Sequence, residues 1–123
     1  MKIATLKEQI LLKKSFLCVG LDVDLDKVPE HIKTMADPLF EFSKAIIDAT
    51  ASYAVAYKPN IAFFETYGPD GMTSLKRVMN YLNENHPEIF TIADAKRGDI
   101  GNTATQYAKA YYETYSFDSI TVA

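Results

Sequence analysis

The chain has 123 residues, 48% of them hydrophobic and 24% charged, the composition of one globular domain rather than of a disordered or fibrous segment. A formal net charge of −3 and a pI near 5.3 leave no basic footprint, which sets nucleic acid aside as a partner. No apolar run approaches the ~20 residues that span a bilayer, and the opening Met1-Lys-Ile-Ala-Thr-Leu-Lys-Glu reads as no signal peptide, so a cytoplasmic setting is expected.

Taken in chain order, a short leading helix is expected from about Thr5, where Thr5-Leu-Lys-Glu8 fits a capping box. Residues 16–22 form an apolar run expected as the first strand, and Cys18 within it is expected as a small core residue. As the single cysteine it excludes an internal disulfide and suits a reducing compartment. Asp37-Pro38 supplies an N-cap and a first-turn proline to a helix whose stripe is Leu39, Phe42, Ile46 and Ala49. Residues 53–58 read as a second strand. Met72, Leu75, Val78, Met79 and Leu82 are spaced as the apolar face of another helix. A third strand follows at 89–94. Thr103-Ala-Thr-Gln106 is a capping-box candidate ahead of the stripe Ala104, Tyr107, Ala108, Tyr111 and Tyr115. The last residues, 119–123, read as a fourth strand. His31 and His86 lack a neighbour at metal-ligand spacing and sit beside turn-like sequence, so both are expected on the surface.

Short β-branched strands alternating with amphipathic helices make parallel β/α units. About four such units are present, with no linker to divide them. A (β/α)8 barrel needs eight units and typically ~250 residues. The fold class is therefore α/β, and residues 1–123 are expected as the N-terminal half of a single TIM-type barrel domain, its other half lying outside this sequence. A self-contained four-stranded doubly wound sheet is the alternative on periodicity alone. Against it, Gly20-Leu-Asp22 is too short for a dinucleotide-binding glycine loop.

In parallel β/α proteins the chemistry gathers where strands end. Asp22 closes the first strand, Lys58 the second, and Asp94 with Lys96 the third; Asp99 follows in the next loop. Asp94 and Lys96 are two residues apart, so on an extended backbone they point to the same side. An unpaired ion there would be costly, and the expected result is an alternating cluster of two ammonium groups and two carboxylates. The bland reading is a structural ion-pair network without a catalytic role. Recurrence of charge at one end of several strands favours use. A lysine set between two carboxylates stays an ammonium, which suits a general acid better than a Schiff-base nucleophile.

Asp94-Ala-Lys-Arg-Gly-Asp-Ile100 fits the Asp-x-Lys-x-x-Asp signature of the orotidine 5′-phosphate decarboxylase superfamily. Gly20-Leu-Asp22, and Lys58-Pro-Asn60 followed by Ala62-Phe-Phe-Glu65, make the chain resemble the decarboxylase branch from about residue 16 to residue 123. The resemblance implies a β/α barrel acting as a homodimer, without metal or organic cofactor, that converts orotidine 5′-monophosphate to uridine 5′-monophosphate and carbon dioxide in pyrimidine biosynthesis. Carried onto this sequence, it puts Asp22 and Lys58 at the ribose hydroxyls, with Lys58 also orienting Asp94. Asp94 would face the substrate carboxylate, and Lys96 would stabilise and protonate the C6 carbanion. Asp99 would reach across from the opposite subunit, whose Ile100 and Thr103 would line the pocket. The groups that grip phosphate and read the pyrimidine belong to the barrel's other half, so this chain alone is expected to be inactive. Two other readings stay open. One is a magnesium-dependent sugar-phosphate decarboxylase or aldolase of the same superfamily, which generally carries a carboxylate where this chain has Lys58. The other is a non-catalytic half-barrel interaction module.

Overall fold

In the computed structural model, residues 3–123 are described, and they form one parallel sheet with helices between its strands. The strands are β1 (Leu17–Leu21), β2 (Ala54–Pro59), β3 (Phe90–Ala93) and β4 (Ser119–Ile120), hydrogen-bonded in the order β1-β2-β3-β4. All three pairings are parallel, so every crossover carries the chain back across the sheet through helix. The helices are α1 (Ile3–Lys13), α2 (Glu30–Lys33), α3 (Pro38–Thr50), α4 (Ile61–Glu65), α5 (Gly68–Asn85) and α6 (Gly101–Ala108), the last running on into a π-helical turn at Lys109–Thr114. This is the expected α/β half-barrel. Among the described residues, no helix is long and apolar enough to cross a membrane.

The core lies between the sheet and the helical layer. β2 is buried throughout except at Lys58, which is half-buried. Tyr57 is fully buried, and its hydroxyl meets Thr50 Oγ1 at 2.7 Å and donates to the Ile47 carbonyl at 3.1 Å, so that a polar tip inside the core has partners. Leu75, Val78, Met79 and Leu82 of α5 are buried as their spacing requires. In α3 the Asp37 side chain accepts from the Phe40 amide at 3.1 Å, with Pro38 in the first turn, and this is the expected cap. Lys13 pins α1 beneath the sheet by donating to the Ala51 and Ala54 carbonyls at 2.8 and 2.9 Å.

Several local expectations change. Cys18 is exposed rather than in the core. Among the described residues β1 pairs with β2 and carries Leu17, Cys18 and Gly20 exposed, so an apolar run by itself did not secure burial. Thr5 lies inside α1, which is already under way at Ile3, so it cannot stand outside the first turn as a cap. Thr103 likewise lies inside α6; Gly101 turns the chain into that helix at φ +55°, two residues earlier, with Ile100 at the cap position and no side-chain cap. The buried residues of α3 are Leu39, Ser43 and Ile47, while Ala49 is exposed. His31 is exposed, whereas His86 is half-buried at the end of α5, edge-on to Tyr81 at 6.1 Å. The π-helical turn breaks the regular tyrosine stripe and buries Tyr111 against Tyr115 and Phe117, at ring distances of 6.0 and 6.2 Å.

Candidate active site

Register decides what meets at the C-terminal ends of the strands. Leu21 pairs with Pro59, Asn60 with Asp94, and Ala93 with Ile120, so the residues just beyond each strand share one rim. The rim is laced by the backbone: the Asn60 amide donates to the Leu21 carbonyl at 3.2 Å and the Asp94 amide to the Pro59 carbonyl at 3.0 Å. Asp22, Lys58, Asp94 and Lys96 are thereby carried to one end of the sheet on three adjacent strands.

Asp94 is the centre of this cluster. Its Oδ2 accepts from Lys58 Nζ at 2.8 Å and its Oδ1 from Lys96 Nζ at 2.5 Å. The Thr121 hydroxyl adds a third bond, to Oδ1, at 3.1 Å. The Asp94 carboxyl is held down at about 2: chiefly by the Lys58 hydrogen bond, then by Lys96, with partial burial opposing and Thr121 assisting. The Lys58 ammonium is in turn pushed above its ordinary range by the same bond to Asp94, against the cost of its own burial. The two lysines differ in access. The Lys96 side chain is 66% exposed against 34% for Lys58, so Lys96 is the ammonium open to a bound molecule.

The reason Asp94 and Lys96 meet is not the alternation of an extended strand. β3 ends at Ala93, and Lys96 adopts φ +50°, a left-handed conformation uncommon for a residue with a long side chain. That turn brings its ammonium back onto Asp94. Asp22 is exposed and accepts from Asn60 Nδ2 at 3.0 Å. Asp99 is not drawn into the cluster within this chain; its carboxylate accepts from the neighbouring Ile100 amide at 2.7 Å. Asp99, Ile100 and Thr103 are all exposed, on the loop and first turn of α6. Arg97 turns away, pairing with Glu65 and donating to the Ala95 carbonyl at 2.7 Å. Among the described residues, no group of three or more His, Cys, Asp or Glu side chains is placed to hold a metal ion. Where the cluster has its carboxylate, two ammonium groups already occupy both oxygens.

The model of the orotidine 5′-phosphate decarboxylase / HUMPS family matches residues 15–123. The chain belongs to this family. The orotidine 5′-phosphate decarboxylase of Flavobacterium johnsoniae is 66% identical over 118 residues, and that of Christiangramia forsetii 63% identical over 118. Each alignment covers 96% of this chain and 43% of the relative, so the chain spans less than half the length of the curated relatives it matches. Among solved structures, a putative orotidine-monophosphate decarboxylase from Toxoplasma gondii superposes with a TM-score of 0.86 at 38% identity, covering 97% of this chain and 40% of that one. The Leishmania donovani OMP decarboxylase gives 0.80 at 38% identity, covering 98% and 43%.

Within the family framework, two rim residues stand out that the sequence did not single out for roles. Asn60 belonged to the Lys58-Pro-Asn60 resemblance but had no assigned part; it holds Asp22 from the neighbouring strand end. Thr121 read as an ordinary β-branched strand residue, yet its hydroxyl touches Asp94. A short polar side chain one or two residues past a strand is the signal that could have marked both.

Proposed function

We propose that the polypeptide to which this chain contributes decarboxylates orotidine 5′-monophosphate to uridine 5′-monophosphate, as a carboxy-lyase of pyrimidine biosynthesis. The observation that carries the reading is the exposed Lys96 ammonium held 2.5 Å from a strongly acidic Asp94, whose other oxygen is taken by Lys58. In this reading the substrate carboxylate lies beside Asp94, and the bond between that carboxyl carbon and C6 breaks. Its electron pair remains on C6, carbon dioxide leaves, and Lys96 Nζ delivers a proton to C6 before recovering one from solvent. Negative charge concentrates on one ring carbon as the bond breaks, so a fixed ammonium stabilises the transition state more than the delocalised starting carboxylate. Asp94 is the group that fixes it. Asp22 and Lys58 are assigned to the ribose hydroxyls.

The same reading makes residues 1–123 the first half of a single barrel and the active form a cytoplasmic homodimer. Asp99, Ile100 and Thr103 act on the opposite subunit's substrate. Their exposure supports this, Ile100 above all, since an isoleucine 85% exposed on a site loop has apolar surface to offer a neighbour. No resident cofactor is invoked. The sugar-phosphate branch of the superfamily is disfavoured by Lys58, an ammonium bonded to the carboxylate a magnesium ion would need.

The test joins this chain to the portion of the Flavobacterium johnsoniae decarboxylase that it does not match and follows loss of orotidine absorbance. Turnover that persists in excess chelator is the expected result, with negligible turnover by the 123-residue chain alone. Magnesium-dependent turnover of a sugar phosphate, without action on orotidine 5′-monophosphate, would contradict it.

A further inference from the structure

Thr121 stands just past the end of β4, and every hydrogen-bonding group it has is directed at residues 93–97. Its amide donates to the Ala93 carbonyl at 2.9 Å, and its carbonyl accepts from the Arg97 amide at 3.2 Å. Its hydroxyl donates to Asp94 Oδ1 at 3.1 Å while accepting from the Ala95 amide at 3.1 Å and the Lys96 amide at 3.0 Å. A hydroxyl has one proton to give and two lone pairs to offer, so this one is used to capacity. The arrangement spans the point where Lys96 takes its left-handed φ of +50°. A backbone in that region persists only where surrounding contacts hold it, and the contact on the Lys96 amide is the Thr121 oxygen.

We propose that Thr121 is a positioning residue for decarboxylation, clamping the strand-end segment so that the Lys96 ammonium and the Asp94 carboxylate are fixed against each other. The inference rests on the decarboxylase reading above for its kinetic consequence, though not for its geometry. Thr121 touches no reacting atom; it acts through the Asp94 carboxylate it bonds and the Lys96 backbone it restrains. Valine is close to threonine in shape but lacks the hydroxyl. Thr121→Val would leave the Ala95 and Lys96 amides without their acceptor and take one donor from Asp94. Thr121→Ser keeps the hydroxyl and removes a methyl group.

The test has two readouts. In the polypeptide completed with the Flavobacterium johnsoniae portion, carbon-13 NMR follows the titration of the Asp94 carboxyl, which faces Lys58, Lys96 and Thr121. Thr121→Val is expected to move it upward, toward the ordinary carboxylate range, and Thr121→Ser to restore the parent value. In the same polypeptide, Thr121→Val should lower kcat roughly tenfold to a hundredfold with KM changed less, because misplacement rather than lost binding is responsible. Thr121→Ser should remain within about threefold of the parent. An unchanged Asp94 titration in Thr121→Val would overturn the proposal. So would a serine variant as impaired as the valine one, or unfolding of both, since either makes the residue a matter of packing alone. If the parent polypeptide does not turn over orotidine 5′-monophosphate, the decarboxylase reading fails, and the NMR titration still judges the clamp.

Discussion

Asp37 and Asp94 are each held by three partners, and they stand in different settings. Asp37 accepts from the Phe40 amide, from Ser74 Oγ at 2.7 Å and from Arg77 Nη1 at 2.6 Å. Its bonds join the start of α3 to α5, and the half-exposed Arg77 lies over the Phe40 ring at 4.0 Å, so its guanidinium is engaged by a carboxylate and a ring at once, as a clasp. Asp94 accepts from Lys58, Lys96 and Thr121, but it sits on the rim of the sheet, and one of its lysines stays mostly exposed. A saturated carboxylate is therefore no sign of function by itself. What separates the two is whether the charge it organises remains available to something else.

The contrast can be broken by exchanging the expected consequences. Replacing Asp94 with Asn in the completed polypeptide removes the charge between two ammonium groups, and turnover should fall by roughly a hundredfold or more, measured as kcat. Asp37→Ala should leave turnover within about twofold of the parent while destabilising the fold by about 2 kcal/mol, read from a denaturant midpoint, as a lost helix cap with its attached bonds requires. A large kinetic loss in the Asp37 variant would dissolve the distinction.

A smaller effect sharpens it. The Asp94 carboxyl is held at about 2 against an ordinary 3.8, so the folded state binds its proton less readily than the unfolded chain. The stabilisation is present in full above about pH 4 and is lost as the pH falls through 2. The unfolding free energy of the parent should thus decline more between those limits than that of the Asp94→Asn variant, as followed by denaturant titration at each pH. Equal declines would place the strong acidity elsewhere.

Much of the architecture was legible because it rests on repetition. The β2 and β3 runs, the α5 stripe and the Asp37-Pro38 cap each follow from residue types at fixed spacing, and Lys58, Asp94 and Lys96 follow from charge at strand ends. What was not legible depends on single conformations or on neighbours distant in sequence. α2 and α4 have four and five residues, too few to show a helical period. The left-handed turn at Lys96 has no marker, since lysine is not a residue that favours it. The bonds of Asn60 to Asp22 and of Thr121 to Asp94 cross from one strand end to the next, over 38 and 27 positions. Cys18 shows the opposite failure: its apolar setting was real, but an apolar run does not say which of its side chains are covered, and Cys18 is exposed.

The central claim, that Lys96 supplies the proton and the stabilising charge, is met most directly by Lys96→Ala in the completed polypeptide, assayed for release of carbon dioxide from orotidine 5′-monophosphate. Turnover is predicted to fall by at least about a thousandfold with the fold intact, since both general-acid and electrostatic contributions vanish together. Turnover retained within about tenfold of the parent would contradict the account.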